Sequence, residues 1–465
     1  MFKMELTEKS SLKKNIVFFL IDGLRVEQIY GNNRTCKTPN IDSLISKGMY
    51  FEQASSSADG TIISLNTIFS SNFQVARTSR YQKIVLNENN LIDILKKNDY
   101  HVYGIFPNFT SFKSLRECFE NENNSYDWIE SNIPPVTLPT GLATKIIQLL
   151  ESKKQEPCFY YFHIFDLHSL REGKKPIGIK NFDHKKFGSS PYERTVSAID
   201  HELGKILEHI DLDNTIIILT TDHGERIPYG GFREVDFEPK LQHTVDFGKK
   251  LLPKSAHKIG GQFLSNVRKS VGKRKLNKDN QKLTNYQKRS RNPYFTLSLF
   301  DEMMHIPLLF VGNLIKPRVI TKQVRHVDIF PTICELLGIP LDIKISGKSL
   351  VLLANESLQD ENPNYLHTMP YQKSSPLDMV GVRTSRYKYF RSAHNANENI
   401  HLYDLKNDPY ENSNIMKTNK KLVTQFEKKI LKLEKDNLSE YEEKTSDKEM
   451  EKISNELKRL GYMNR

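Results

Sequence analysis

The stretch Asn15–Gly23 reads NIVFFLIDG, so that six consecutive apolar residues end directly in Asp22 and Gly23. An apolar run of this length indicates a strand that is buried on both faces of a mainly parallel sheet. Four further segments have the same apolar character and are predicted to be strands: 50–54, 158–165, 215–220 and 306–311. Helical patterns at 38–48 and 195–210 separate them, and this alternation predicts a doubly wound α/β sheet flanked by helices.

Polar side chains follow three of the predicted strands at the point where each strand ends. They are Asp22, Asp166, His168, Asp222 and His223. In open α/β sheets, ligands collect outside the carboxyl ends of the strands, because neighbouring parallel strands end at the same edge. The sequence therefore predicts that these side chains converge on one site.

The composition changes after residue 345. Short β-like segments at 379–383, 388–391 and 401–405 indicate a smaller C-terminal α+β subdomain over residues 346–416. Residues 417–465 alternate Lys and Glu with apolar residues at helical spacing, which predicts a charged helical tail. The large α/β domain is accordingly expected to span residues 1–345.

The overall composition is that of a globular protein, with 38% hydrophobic and 27% charged residues among 465. The 22 Gly and 20 Pro fall short of low-complexity or collagen-like levels. The four cysteines are widely spaced without a CxxC pair, which predicts reduced thiols rather than a zinc knot or a disulfide framework. No apolar run approaches the roughly 18 to 20 residues of a membrane span, and residues 1–14 lack a signal-peptide core, so the expected compartment is the cytoplasm.

Nearly all of the formal net charge of +12 lies in one segment. Between Lys240 and Arg291, 15 basic residues stand against two acidic ones. A solvated loop is the commonest form of such a charge run. Apolar residues such as Phe247, Leu251 and Phe263 interleave with the cations, however, and this pattern favours docking on an anionic membrane surface or polymer. Nothing in the segment resembles a base-reading module, so specific nucleic-acid recognition is not expected.

Asp22, Asp222 and His223 offer two carboxylates and an imidazole, a donor set that suits a divalent cation. These donors leave open whether the ion is Ca²⁺, Mg²⁺, Mn²⁺ or Zn²⁺. An isolated Asp-His pair is more often a turn or capping element than a pair of metal ligands. Here the pair follows a strongly apolar strand and precedes Gly224, which lets the backbone turn close to an ion, so the ligand interpretation is favoured.

Thr61 follows Asp59 and Gly60, where a turn is predicted to lead into a helix. A hydroxyl at a helix N-terminus is commonly a cap. The same position suits a nucleophile, because a cation lowers the hydroxyl pKa and the first N–H groups of the helix stabilise a transferring anion. His168, just beyond a strand, is predicted to contact substrate or protonate a leaving group. Strand alternation puts His163 and His168 on opposite faces unless the strand has already ended, and His163 is expected to be structural.

In these residues the sequence resembles the sulfatase branch of the alkaline phosphatase superfamily. The segments that carry the resemblance occur in the family's order: NIVFFLIDGLR, TPNIDSLISKGMYFEQA, FHIFDLH, TTDHGE, LFDEMMHIPLLF, RHVDIFPTICELLGI, GKSL, and VRTSRYKYF with LYDLKNDPYENSNI. The resemblance implies a large α/β domain with a smaller C-terminal one. It also implies metal binding by Asp22, Asp222 and His223. Thr61 then takes the nucleophile position, and His168 faces the substrate.

Three further residues are candidates for contact with the substrate. Arg25 lies in the segment NIVFFLIDGLR, and Asp166 lies in FHIFDLH. The third is His305, for which a hydrogen bond within the core is an equally open interpretation.

The sequence departs from the family pattern at four positions. Thr61 stands where sulfatases have the Cys or Ser that becomes formylglycine, and Leu65 stands where the CxPSR-type signature has Arg. Gly23 replaces a second Asp, and Thr296 lies roughly where the family has a Lys. A threonine cannot become formylglycine, so no formylglycine is expected and the hemiacetal route to sulfate release is closed to this chain.

These departures favour chemistry at phosphorus. A threonine alkoxide resembles the nucleophile of nucleotide pyrophosphatases and of phosphoglycerol or phosphoethanolamine transferases in the same superfamily. The sequence thus predicts a metal-dependent hydrolase of phosphate or sulfate esters, with phosphoesters and phosphodiesters favoured. Two alternatives stay open: a phospho-group transferase that acts on lipid or glycan, and a non-catalytic member that binds an anionic glycan or lipid. In either enzymatic case the expected partner is an anionic ester substrate.

Overall fold

The structure is a computed structural model. It describes residues 13–32, 34–75, 83–86, 88–128, 135–153, 157–168, 170, 176–227, 281, 283–291, 299–354, 361–368, 377–437 and 451–456. The chain divides into two compact units, one of residues 1–226 with 296–465 and the other of residues 227–295. Thr296 and most of the predicted basic segment, residues 240–280, lie outside the described residues.

A nine-stranded sheet forms the core of the larger unit. Its strands are β1 (Asn15–Ile21), β2 (Met49–Ser55), β3 (His101–Pro107), β4 (Ser125–Tyr126), β5 (Cys158–Ile164), β6 (Thr215–Thr220), β7 (His305–Ile306), β8 (Leu308–Val311) and β9 (Arg318–Arg325). Their lateral order is β4-β3-β5-β1-β6-β8-β2-β7, and β9 pairs with β2. Strands β5 and β6 flank β1 and run parallel to it, whereas β8 runs antiparallel to β6 and β2. The prediction of a mainly parallel sheet is confirmed.

The helices begin and end at residues that the sequence marks. In chain order they are α1 (Pro39–Lys47), α2 (Thr61–Ser70), α3 (Leu91–Lys97), α4 (Lys113–Arg116), α5 (Leu142–Ser152), α6 (Pro191–Leu207), α7 (Asn285–Arg291), α8 (Asp301–Met304), α9 (Ile329–Leu336) and α10 (Lys420–Asn437). Helix α6 begins four residues before the predicted 195–210, because Ser190 and Glu193 form a capping box around Pro191.

Strand β1 lies at the centre of the sheet, and its apolar run is buried on both faces. Residues 16–21 are each at most 1% exposed. Phe18 packs on Tyr161 of β5 with ring centroids 5.5 Å apart, and Phe19 packs on Phe162 in the same way. The ladder continues one residue past the strand, since the Asp22 amide donates to the Ile164 carbonyl oxygen over 2.8 Å. This contact brings Asp22 to the middle of the sheet edge.

The predicted single strand at 306–311 is wrong in detail, because the structure divides it into β7 and β8. Pro307 lies between them and has no N–H with which to continue a ladder. Its carbonyl oxygen instead accepts a hydrogen bond from Thr220 Oγ1 over 2.8 Å.

A second, four-stranded sheet lies in the C-terminal part of the larger unit. Its strands, β10 (Asn364–His367), β11 (Met379–Arg383), β12 (Tyr387–Ser392) and β13 (His401–Asp404), are antiparallel and lie in chain order. Helix α10, within the predicted tail, packs Phe426 and Ile430 into an apolar cluster with Tyr365, Val382 and Tyr389. The expected small C-terminal α+β fold is therefore present. Residues 451–456 are also helical.

The smaller unit contributes one described helix, α7, from the end of the basic segment. Thr284 and Gln287 form a capping box at its start: Thr284 Oγ1 accepts from the Gln287 amide, and Gln287 Oε1 accepts from the Thr284 amide. Across the part of the chain that the structure describes, no helix is both long and apolar enough to cross a bilayer.

A buried ion-pair cluster joins the C-terminal sheet to the segment before β7. Arg383 binds both carboxylate oxygens of Asp301, at 3.0 and 2.8 Å. Lys388, which is fully buried, binds Asp301 Oδ1 at 2.8 Å and Glu411 Oε1 at 2.5 Å. Burial by itself raises the pKa of a carboxyl group, but Arg383 and Lys388 hold the pKa of Asp301 well below its ordinary value.

Replacing one partner of this cluster is expected to destabilise the protein strongly. Lys388→Met leaves two buried carboxylates with less positive charge, so we expect a loss of about 3 to 5 kcal/mol in the free energy of unfolding. The matched control is Lys113→Met, whose pair with Glu117 spans 3.6 Å between side chains more than 60% exposed and should change stability by less than about 0.5 kcal/mol. Urea unfolding of both variants measures the difference, and equal midpoints would contradict the assignment.

Candidate metal and nucleophile site

Neighbouring strands bring two carboxylates and an imidazole together at the carboxyl edge of the large sheet. Asp22 follows β1, and Asp222 and His223 follow the adjacent β6. One ligand atom from each of the three side chains lies within 4.8 Å of the others. All three residues are fully buried. This cluster is the candidate metal site.

The hydrogen bonds of Asp222 and His223 leave one donor atom of each directed to a cation. Asp222 Oδ1 accepts from the amides of His223 and Gly23, at 2.9 and 3.2 Å. Asp222 Oδ2 is buried, has no hydrogen-bond partner among the described residues and lies 3.4 Å from His223 Nε2. His223 Nδ1 donates to the Gly224 carbonyl oxygen over 2.6 Å, which leaves the lone pair on Nε2. The residues therefore fit a divalent cation.

The charges of the cluster also favour a bound cation. Burial and the neighbouring charge of Asp22 raise the pKa of Asp222 above its ordinary value. Burial also raises the pKa of Asp22, but the neighbouring His163, His168 and His223 outweigh it and hold that pKa well below the ordinary value. Two buried carboxylates in contact repel each other, and a bound cation removes this repulsion.

Thr61 lies at the first turn of α2 and directs its hydroxyl into the cluster. Thr61 Oγ1 lies 3.2 Å from Asp22 Oδ2 and 3.4 Å from His223 Nε2. Gly60 takes the N-cap position, and no side chain caps the helix there. The hydroxyl is thus directed at the candidate metal ligands and does not cap its own helix.

His163 near the end of β5 and His168 just after it both lie close to Asp22. His163 Nε2 lies 3.7 Å from Asp22 Oδ2, and His168 Nδ1 lies 3.6 Å from Asp22 Oδ1. Strand β5 ends at Ile164, so alternation no longer governs His168 and the two rings reach the same carboxylate. Tyr161 Oη lies 3.0 Å from His163 Nδ1. The sequence analysis thus underestimated how close His163 lies to the site.

The three weaker candidates for substrate contact have other protein partners. Arg25 pairs with Glu27 and donates from Nη1 to the Glu225 carbonyl oxygen. Asp166 Oδ2 accepts from the Leu138 amide over 2.9 Å, and burial raises its pKa to about 7. His305 Nε2 donates to the Glu52 carbonyl oxygen over 2.6 Å. For His305, this contact is the core hydrogen bond that the sequence analysis left open.

Three residues that could not be predicted from the sequence make hydrogen bonds to the loops that carry the candidate metal ligands. Thr221 Oγ1 lies 3.2 Å from Asp222 Oδ1 and accepts from the Leu24 amide. His326 Nε2 donates to the Thr221 carbonyl oxygen over 3.0 Å, and burial lowers the pKa of His326 to about 3, so the ring is neutral. Tyr192 Oη donates to the Gly23 carbonyl oxygen over 2.6 Å. His326 lies in the segment RHVDIFP, which was the only available signal.

Backbone geometry favours glycine at two positions next to the candidate metal ligands. Gly23 has a φ of 69°, in the left-handed region where side chains are strained. A Cβ on Gly224 would lie 2.0 Å from the Glu302 carbonyl oxygen. Leu65, which stands where the family signature has Arg, is fully buried in the core. The positive φ therefore favours glycine at position 23.

Comparison with known proteins identifies related sequences over most of the chain. The family model Sulfatase matches residues 14–339, and the model N-sulphoglucosamine sulphohydrolase, C-terminal, matches residues 294–436. Arylsulfatase K of Homo sapiens is 30% identical over 129 residues, which cover 26% of this chain and 24% of the relative. Delta 4,5-hexuronate-2-O-sulfatase of Bacteroides thetaiotaomicron is 32% identical over 132 residues, 27% of each chain. These alignments span about a quarter of the relatives' length.

Solved structures share the fold at low sequence identity. A protein in complex with its substrate D-glucosamine-2-N,6-O-disulfate has a TM-score of 0.61 at 16% identity, over 93% of this chain and 100% of that one. The phosphonate monoester hydrolase of Agrobacterium radiobacter has a TM-score of 0.61 at 16% identity, over 92% of this chain and 96% of that one. The family model, which spans most of the chain, and the shared fold show that this chain belongs to the sulfatase family of the alkaline phosphatase superfamily.

Proposed function

We propose that this chain is a metal-dependent hydrolase of phosphoesters or phosphodiesters that uses Thr61 as its nucleophile. The observation that carries the proposal is the position of Thr61 Oγ1, 3.2 Å from Asp22 Oδ2 and 3.4 Å from His223 Nε2. A hydroxyl so close to the candidate metal ligands is the geometry that hydroxyl activation by a cation requires.

Asp22, Asp222 and His223 are the proposed metal ligands. When bound, a divalent cation would lower the pKa of the Thr61 hydroxyl and offset negative charge on the reacting group. Asp22 orients the nucleophile, because its Oδ2 accepts the hydrogen bond of the Thr61 hydroxyl. The first N–H groups of α2 adjoin Thr61 and favour an anionic group at this point.

The proposed reaction has two steps. Thr61 Oγ1 releases its proton to solvent and forms a bond to phosphorus while the bond from phosphorus to the ester oxygen breaks. We assign protonation of that leaving oxygen to His168, whose Nδ1 lies 3.6 Å from Asp22 Oδ1 in the same site and which regains a proton from solvent. Water then attacks phosphorus, and Thr61 leaves and regains its proton. An alcohol acceptor in place of water would make the protein a transferase by the same first step.

The choice of phosphorus over sulfur rests on residue 61. Sulfatases release sulfate through formylglycine, which a threonine cannot form. The relatives named arylsulfatase K and Delta 4,5-hexuronate-2-O-sulfatase favour a sulfated substrate, whereas the phosphonate monoester hydrolase shows that this fold accommodates phosphorus chemistry. A non-catalytic member would have no need to direct a hydroxyl at three metal-ligand side chains, and this geometry favours the enzyme.

Two substitutions separate the nucleophile from the metal ligands. Thr61→Ala should lower kcat by about 10⁴-fold or more, because the attacking oxygen is lost, while Mn²⁺ affinity stays within a few-fold. Asp222→Asn should lower both turnover and Mn²⁺ affinity. Thr67→Ala is the matched control, since its hydroxyl donates to the Ile63 carbonyl oxygen on the same helix. Turnover assays and Mn²⁺ titration followed by electron paramagnetic resonance measure the effects, and full activity of Thr61→Ala would refute the role.

The substrate class can be measured with matched aryl esters. We expect 4-nitrophenyl phosphate or bis(4-nitrophenyl) phosphate to be turned over at least about 10-fold faster, by kcat/KM, than 4-nitrophenyl sulfate, since Thr61 cannot follow the formylglycine route. The panel is run with Mg²⁺, Mn²⁺, Ca²⁺ and Zn²⁺ in turn. Faster turnover of the sulfate ester under every metal would contradict the assignment to phosphorus chemistry.

The basic segment between Lys240 and Arg291 is proposed to bring the enzyme to an anionic membrane surface. Its net charge and its interleaved apolar residues support this role. Deleting residues 249–291 should abolish sedimentation with vesicles that contain phosphatidylserine, whereas neither form should sediment with vesicles of phosphatidylcholine alone. Equal sedimentation of both forms with the anionic vesicles would rule out this role.

A further inference from the structure

The turn between β2 and α2 determines where Thr61 lies, and it is built from small polar residues that are almost completely buried. Ser55 and Ser56 are 0% exposed, and Ser57 is 2% exposed. A buried turn without regular secondary structure must obtain hydrogen bonds for its backbone from elsewhere in the chain. The Ser56 amide donates to the Met304 carbonyl oxygen over 2.8 Å, and further hydrogen bonds come from a residue about 300 positions away in sequence.

Asn364, the first residue of β10 in the C-terminal sheet, spans this turn with its side-chain amide. Its Nδ2 donates to the Ser56 carbonyl oxygen at 2.7 Å, to Ser55 Oγ at 3.0 Å and to the Ser55 carbonyl oxygen at 3.3 Å. Its Oδ1 accepts from Ser57 Oγ at 3.2 Å. Asn364 is fully buried, so these groups have no access to water in its place.

The backbone of β10 continues the contact toward the nucleophile. The His367 amide donates to the Ser57 carbonyl oxygen over 3.0 Å. Ala58 and His367 form a parallel bridge, three residues before Thr61. The C-terminal sheet therefore runs beside the turn from Ser55 to Ala58.

The same turn also contacts the loop that carries the candidate metal ligands. Ser56 Oγ lies 2.8 Å from the Asp222 carbonyl oxygen and 2.7 Å from the Ala58 carbonyl oxygen. It also accepts from the Ala58 amide over 3.2 Å. A shift of Ser56 would consequently move the turn between β2 and α2 relative to Asp222.

We propose that Asn364 is a positioning residue, which fixes Thr61 over Asp22, Asp222 and His223 through the turn of Ser55 to Ser57. This inference rests on the proposed role of Thr61 as nucleophile. Asn364→Ala removes a donor from the buried carbonyl oxygens of Ser55 and Ser56, although the Ser56 oxygen keeps the 3.2 Å hydrogen bond from Ser55 Oγ, and buried polar groups that lose hydrogen bonds are costly. The turn then relaxes, and a displacement of about 1 Å at the reacting oxygen lowers the rate by about 100-fold.

The test uses the full chain with Asn364→Ala, the isosteric Asn364→Asp, and Asn397→Ala as an exposed control in the same subdomain. Turnover of bis(4-nitrophenyl) phosphate, Mn²⁺ affinity, and amide hydrogen exchange in peptides covering 55–61 and 15–21 are measured. For both Asn364 variants we expect kcat to fall by about 100-fold with KM within a few-fold. Exchange should rise at least 10-fold in 55–61 and stay unchanged in 15–21, with Mn²⁺ affinity within about 3-fold. Asn397→Ala should match the wild type in all of these measurements.

The outcomes separate this inference from the proposed function. Unchanged exchange in 55–61 of a folded Asn364→Ala variant would overturn the positioning role whatever the activity. Unchanged kcat with raised exchange would overturn it as well, because the turn would then not control the chemistry. Equal loss of protection in 15–21 would show a general loss of stability and also overturn it. Wild-type turnover that survives Thr61→Ala would instead refute the proposed nucleophile, while the exchange data would still report on the turn.

Discussion

Two buried carboxylates that meet at the edge of a parallel sheet constrain the rest of this structure. Asp22 and Asp222 follow adjacent strands, and the apolar residues of β1 and β6 leave them no access to water. Such a pair is tolerated only when hydrogen bonds and positive charge surround it. His163, His168 and His223, together with backbone amides, supply part of that environment, and the remaining lone pairs face the space where a cation fits.

The main sheet and the carboxylates at its edge could be predicted from short sequence segments. An apolar run such as NIVFFLI determines burial on both faces, and the position of Asp22 directly after it determines the edge to which the side chain belongs. The resemblance to the sulfatases rested on the order of such segments, and the family match bears it out. By contrast, the ligand and nucleophile roles of the residues at this edge stay predictions.

Contacts between residues that are far apart in the sequence could not be predicted from sequence patterns. Asn364 lies about 300 residues from the turn that it contacts, and no periodicity or motif links the two. That His163 and His168 lie close to the same carboxylate follows from the end of β5 at Ile164, since strand alternation holds only while the strand lasts. Pro307 divided a predicted strand because the ladder needs an N–H at every other residue, a requirement that apolarity alone does not reveal.

The contact between β10 and the turn before Thr61 has a consequence for the folding of the protein during synthesis. A nascent chain that has left the ribosome as far as residue 345 already contains Asp22, Thr61, His168, Asp222 and His223. It does not yet contain Asn364, so the carbonyl oxygens of Ser55 and Ser56 still lack the hydrogen bonds from that side chain. On the proposed function, catalytic competence would therefore arise only after β10 has been synthesised and folded, and a chain terminated before Asn364 would carry the candidate site residues without this contact.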